Sequence, residues 1–215
     1  MHRQPLFDVR ELGKIHQLIR DHALGTLILP AHGHLHVDHL PFVLDTSKDG
    51  PGRLHTHAAR DNRLWATIPE DTPVDCLVVF SGPDAYISPS WYPSRHAHGR
   101  VQPSWYYSVV HAYGRMRLVR EPQALAQGIR AMTDYFEGDR PDAWRVDEAP
   151  QHFIDALVPH IVGLEIEVLD FQGKWQVGQQ RSHADRAGIV AALRRETRPD
   201  QHVLADQIMA AVIQR

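Results

Sequence analysis

The segment LHTHAARDN, Leu54 to Asn62, gathers the groups best able to hold an anion. Thr56, His57 and Arg60 stand where a strand gives way to a turn, with Asn62 just beyond. A phosphate needs a guanidinium fork, hydroxyls and free backbone N–H groups, and this short stretch can supply all of them. Two similar aromatic elements follow, Ser90–Trp91–Tyr92 within PSWYP and Ser104–Trp105–Tyr106 within PSWYY. Large planar rings in proline-fixed loops suit a flat ligand or a partner subunit, and they equally suit a core or a dimer contact.

Other chemistries find less support. The chain holds 16 histidines. His32, His34 and His36 stand at i, i+2, i+4, His55 and His57 repeat the spacing, and His96 and His98 add a third pair. Imidazole ligates zinc, copper and nickel. No carboxylate or cysteine lies beside these residues at a recognisable ligand spacing, so they read as a histidine-rich exposed hairpin and no metal is assigned. The chain contains neither a G-x-S-x-G elbow nor S-x-x-K, and neither a P-loop nor a G-x-G-x-x-G turn.

Composition sets the outer bounds. The chain has 215 residues, 23 Lys and Arg against 26 Asp and Glu, and a net charge of −3. Nothing in that balance recruits nucleic acid or an anionic membrane. The one cysteine, Cys76, lies in DCLVVF and reads as a small core hydrophobe. No stretch approaches the 18 or so apolar residues of a membrane span, and the expectation is a cytoplasmic protein.

The elements that must position these residues follow from periodicity. Val9, Leu12, Ile15 and Ile19 predict a first helix, with Asp8 as its cap, Glu11 in a capping box and Gly25 past its end. TLILPA, HLHVDHLPFVLD and RLHTHAA read as short antiparallel strands, and DNRLWATI as a helical turn or two. VDCLVVFSG reads as a buried strand, with DAYIS hairpinning back from Gly82–Pro83. SWYYSVVHAYGRMRLV is a long strand with a bulge at Gly114. A helix from Pro122 carries Leu125, Ile129, Met132 and Phe136, and a short one covers PQHFIDALVPHI. IVGLEIEVLDFQGKWQVGQ reads as strand, turn, strand. Helices at Ser182–Glu196 and Asp200–Gln214 finish the chain. Short antiparallel strands broken by helices mean α+β with a barrel-like, Greek-key-like sheet, in one domain of residues 1–215 with C-terminal helices from about 182. The last helix carries two aspartates and the apolar stripe Val203, Leu204, Ile208, Ala211 and Val212, so it packs, and the charge pattern gives direct DNA reading no support.

HLPFVLD, LHTHAARDN, FSGPDAYISPSWYPS, PSWYYSVVHAYG and IVGLEIEV…QGKWQVGQQRS occur in that order between about Met1 and Arg186. Together they resemble the PaiB-type proteins, FMN-binding split-barrel proteins known as negative transcriptional regulators. The family pattern reads THLP, GHLARANP, GPxAYISPSWY, VPTWNYxxVHxxG and GKxKLSQN. Here Asp38 replaces the threonine before HLP, Thr56 stands where glycine is common, and Asp61 and Arg63 flank Asn62. Ser104 and Tyr106 replace Thr and Asn of TWNY, and Gln176 and Gly178 depart from KLS.

The resemblance implies a homodimer of split barrels with FMN in the cleft between subunits. On that basis Thr56, His57, Ala58, Arg60 and Asn62 ring the phosphate and ribityl end. His39, Leu40, Pro41 and Phe42 run beside the isoalloxazine. Ser88, Trp91, Trp105, Tyr107 and His111 close the cleft, and Lys174 and Gln179 reach the phosphate or the ring's carbonyl edge. The implied role is a regulator or flavin-based redox sensor. The alternatives are a flavin oxidoreductase of the pyridoxamine-phosphate-oxidase-like or nitroreductase kind, with His57 or His111 as proton donor, and a haem-binding or haem-degrading split barrel.

Overall fold

Strict apolar alternation along most strand segments gives each strand one buried side, and burying those sides against one another builds the sheet. The computed structural model describes residues 1–31, 33–47, 50–62, 65, 68, 72–138 and 140–211. His32, Arg63, Val212 and Gln214 therefore lie outside the described residues, as does half of the turn expected in DNRLWATI. The strands are β1 (Asp8–Val9), β2 (Leu24–Ala31), β3 (His34–Pro41), β4 (Val43–Asp45), β5 (Arg53–Ala59), β6 (Val74–Ile87), β7 (Ser104–Val119) and β8 (Ile161–Gln176). The helices are α1 (Leu12–Asp21), α2 (Ser94–His98), α3 (Pro122–Glu137), α4 (Gln151–Leu157), α5 (His183–Leu193) and α6 (Pro199–Ala210). Sheet order is β3-β2-β6-β7-β8-β5-β4, with β1 paired to β8. The fold is α+β, an antiparallel split-barrel sheet with flanking helices.

The chain divides into two compact units. Unit 2 holds residues 19–80 and 111–171. It contains the β2–β3 hairpin, in which Leu24 pairs with Pro41 and Ala31 with His34, and the β5–β8 pairing from Arg53 with Glu167 to Ala59 with Ile161. Leu27, Leu29, Phe42, Leu54, Val78 and Phe80 are buried there. Phe42 and Phe80 meet edge to face at 5.7 Å. Cys76 is buried as a core residue, and burial pushes its thiol up to about 12.

Unit 1 holds residues 1–18, 81–110 and 172–215. Its core packs Ala85, Ile87, Tyr92, Tyr106 and Val177 against Ile189, Leu193, Leu204 and Ile208 of α5 and α6. Ser182 caps α5 by accepting from the Asp185 amide. Asp185 in turn accepts from the Ser94 amide and hydroxyl, tying α5 to α2.

Several expectations are corrected. Asp8 does not cap α1: it pairs with Lys174 in β1–β8, and Arg3 and Arg10 take its carboxylate. Helix α1 is instead entered from Glu11, whose carbonyl accepts from the Lys14 and Ile15 amides. Gly25 lies inside β2, where an added Cβ would stand 2.7–2.9 Å from Val78, Phe42 and Phe80. No hairpin forms at Gly82–Pro83, because β6 runs straight through. Its buried positions shift there from even residues (Cys76, Val78, Phe80) to odd ones (Pro83, Ala85, Ile87). Strand β8 is likewise unbroken, shifting phase between Val168 and Phe171. Alternation continues evenly through Gly114, so no bulge forms; a Cβ there would lie 2.4 Å from the Glu167 carbonyl, and glycine serves close approach.

Candidate functional site

In unit 2, strand pairing of β5 with β8 delivers LHTHAARDN to its place. Alternation puts His55 and His57 on one face and Leu54 and Thr56 on the other, with Leu54 fully buried and Thr56 nearly so. Beyond the strand the Arg60 amide donates to His160 and its Nε to the Ile161 carbonyl at 3.2 Å. Those bonds anchor the base of the side chain, and its terminal guanidinium nitrogens make no hydrogen bond among the described residues. Ala58 is half-buried beside them. The His57 ring also has no hydrogen-bond partner among the described residues, and burial holds its pKa below the ordinary imidazole value.

Asn62 is differently engaged. Its amide nitrogen reaches the Asp38 carboxylate at 3.4 Å, and the same carboxylate oxygen lies 2.7 Å from His36 Nε2. The His36 ring meets Trp65 edge-on at 6.2 Å, and Trp65 donates its indole N–H to the Ala59 carbonyl. This His36–Asp38–Asn62 network escaped the sequence reading as a unit. Its one local signal is the i, i+2 spacing that puts His36 and Asp38 on one face of β3.

Strand β3 ends the sheet path, so one edge of its backbone has no strand partner in that path. His39 and Pro41 are exposed and Leu40 is half-buried there. Phe42 is buried, and its amide is already given to the Ala23 carbonyl at 2.8 Å. His111, on β7, is half-buried with Nδ1 unpartnered, and burial lowers its pKa.

The remaining candidates lie in unit 1. Ser88 accepts from the Ser90 amide and caps the 3-10 turn Pro89–Trp91. Trp91 packs half-buried against the α5–α6 core. Trp105 is 52% exposed, donates its indole N–H to Asp84 at 2.9 Å, and tilts against the exposed Tyr86 ring. Lys174 sits over the Tyr107 ring at 5.2 Å. Gln179 is used internally: it donates to the Trp175 carbonyl at 2.6 Å and accepts from the Val177 amide. The two Ser-Trp-Tyr elements thus part company, with Tyr92 and Tyr106 in the core and Trp105 facing out.

The unit 2 donor set fits a phosphate-bearing ligand. Among the described residues Arg60 keeps its terminal guanidinium nitrogens unspent at a strand end, the His57 ring is unclaimed, and the edge of β3 without a strand partner in the sheet path offers backbone groups to a flat polar rim. The split-barrel fold and these groups describe a flavin-binding class of protein.

Comparison with known proteins agrees. The chain matches the family model FMN_bind_2, "Putative FMN-binding domain", over residues 1–170, and it belongs to that family, whose cofactor is FMN. The "Protease synthase and sporulation protein PAI 2" of Bacillus subtilis is 28% identical over 200 residues, covering 93% of this chain and 92% of its own. An uncharacterized protein of Aspergillus fumigatus is 30% identical over 219 residues, covering 82% and 84%. Among solved structures, the flavocytochrome Anf3 of Azotobacter vinelandii shares the fold with a TM-score of 0.59 at 15% identity, over 87% of this chain and 78% of that one. Among the described residues no helix is long and apolar enough to cross a membrane.

Proposed function

We propose that residues 1–215 form one FMN-binding domain that acts as a flavin-based redox sensor with a regulatory output, working as a homodimer. The observation that carries the reading is Arg60, held at its base by the His160 and Ile161 carbonyls with its terminal nitrogens unspent. When bound, FMN supplies reversible electron and hydride transfer. Arg60 would hold the phosphate charge, with His57, Ala58 and Asn62 shaping the ribityl end, whereas Thr56 faces the other side of β5 and would act through its backbone alone. Backbone groups from His39 to Pro41 would orient the polar rim of the ring, with Phe42 buried behind them and its amide held by Ala23. His111 has an unpartnered buried nitrogen that can hold a proton at Nδ1. Unit 1 would contribute to the dimer, where Trp105, Tyr107 and Lys174 would meet the partner or its ligand, while Ser88, Trp91 and Gln179 would hold that surface in place from within.

A regulatory output is supported by the name of the Bacillus relative, which speaks of protease synthesis and sporulation. Direct reading of DNA is not proposed. Helix α6 buries Leu204, Ala205 and Ile208, and its Asp206 occupies Arg194 of α5. The output would pass through a partner protein.

The test is FMN titration followed by visible absorption and flavin fluorescence, on the native chain and on Arg60→Ala. Arg60 is exposed, so the variant should fold normally. We expect saturable binding that weakens at least tenfold, or about 1.4 kcal/mol, in the variant. Equal affinity would remove Arg60 from the site. Steady turnover with NAD(P)H and an added acceptor would make the chain an oxidoreductase instead of a sensor.

A further inference from the structure

Within unit 2, helix α3 turns Leu125, Ile129 and Met132 toward the sheet, with Leu125 and Met132 buried. Gly128, three residues after Leu125, also borders the space beneath the helix, and a Cβ there would meet nothing within 4 Å. Across from the helix, Gly163 of β8 lies so near that a Cβ would stand 3.1 Å from both Leu125 and Val119. Helix and sheet therefore touch at Gly163 but stay unfilled at Gly128. The result is a cleft of about 360 Å³ between α3 and strands β5 and β8. That volume lies at the lower end of ligand sites, which run about 300–1,000 Å³, and suits one or two fused rings.

The polar wall of the cleft is formed by His55 and His57, two residues apart on one face of β5, with Asp45 and Glu165 near them. Glu165 is already matched: Arg53 donates to it at 2.6 Å, and Arg117 donates at 3.1 and 3.0 Å. His55 stands 3.9 Å from Asp45 and 4.0 Å from Glu165, whereas the His57 ring makes no hydrogen bond among the described residues. The cleft thus offers apolar walls, a polarizable Met132 and an imidazole edge with unused hydrogen-bonding capacity. An uncharged ring fits the walls, and a single hydroxyl answers the imidazole.

We propose that this cleft binds a small uncharged aromatic compound carrying one hydroxyl group, as a second ligand beside FMN. His57 also belongs to the set assigned to FMN, so the two ligands must be tested together. The probe is 2-naphthol, read by its fluorescence and by calorimetry, with naphthalene as the partner lacking the hydroxyl. The variant is Gly128→Leu, which projects a side chain into the open space and improves the helix. The expected result is one saturable 2-naphthol site per chain, at least tenfold weaker for naphthalene, and at least tenfold weaker in Gly128→Leu. FMN affinity and oligomeric state should be unchanged in the variant, and 2-naphthol should still bind with FMN present. No saturable binding, equal affinity for naphthalene, or full binding by the variant would each overturn the proposal. Competitive displacement by FMN would assign the cleft to the flavin itself. A changed oligomeric state in Gly128→Leu would assign it to a second copy. Because 2-naphthol is titrated with and without FMN, failure of the flavin reading leaves this test intact.

Discussion

Two helix glycines, one in each unit, are used in opposite ways. In unit 1, Gly188 of α5 lies under Trp91, and a Cβ would fall 2.3 Å from the Trp91 carbonyl oxygen and 2.9 Å from Pro93. In unit 2, Gly128 of α3 opens onto empty space. One glycine lets backbone and helix meet, and the other leaves a gap. The contrast shows that α5 is packed down onto the Trp91 turn, whereas α3 leaves space beneath it in the cleft that it shares with β5 and β8.

The same substitution should therefore act with opposite sign at these two helix positions. Gly188→Ala is the largest expected effect, a loss of about 3 kcal/mol as α5 is forced off the Trp91 turn. Urea unfolding measures it, and a loss below about 1 kcal/mol would mean that α5 tolerates displacement. Gly128→Ala should instead raise stability by about 1 kcal/mol, through helix propensity alone. A destabilised Gly128→Ala would show the space beneath α3 to be filled, and would break the contrast.

Acid titration sharpens the comparison with smaller effects. In unit 2, burial lowers the pKa of His55, His57 and His111, and at His55 it outweighs the attraction of Glu165 and Asp45. The folded rings bind protons less readily than the unfolded ones. Stability should be unaffected above the ordinary value of 6.5 and fall as pH drops through it toward the folded values. In unit 1, burial works to raise the pKa of Asp185, but hydrogen bonds from Ser94 and Ser182 and the charge of Arg181 prevail and lower it. That contribution is present above the ordinary value of 3.8 and is lost as pH falls through the lower folded value. Thermal midpoints against pH should show two separate declines. His57→Gln should shrink the upper one and Asp185→Asn the lower; a single decline, or loss of the wrong one, would merge the units electrostatically.

Where the sequence was legible, the reason is local. RLHTHAA and SWYYSVVHAYGRMRLV match β5 and β7 because alternation and β-branched or aromatic residues act over neighbouring positions. Pro122 and the spacing of Leu125 and Met132 placed α3 for the same reason. The errors fall on glycines that look like turns. Gly82 would put a Cβ 2.4 Å from Ser108 Oγ, and Gly173 would put one 2.8 Å from the Val9 carbonyl. Both glycines serve contacts with residues far along the chain, which no local pattern announces. The site follows the same rule. Arg60 and His57 stood out in one motif, but the joining of Asp38 to Asn62 depends on which strands lie near one another. The cleft depends on a side chain missing from α3.

The buried Cys76 has a practical meaning. With its thiol near 12, about one molecule in ten thousand carries the thiolate at pH 8. It is the sole sulfhydryl in the chain, and its burial and raised pKa should make it slow toward maleimides and mild peroxide. A single reporter cysteine can therefore be placed on an exposed residue such as Gln127 without first removing the native one. A response of the chain to a thiol-selective oxidant then has to come from a group other than Cys76, whereas peroxide also has the exposed thioether of Met209 to act on.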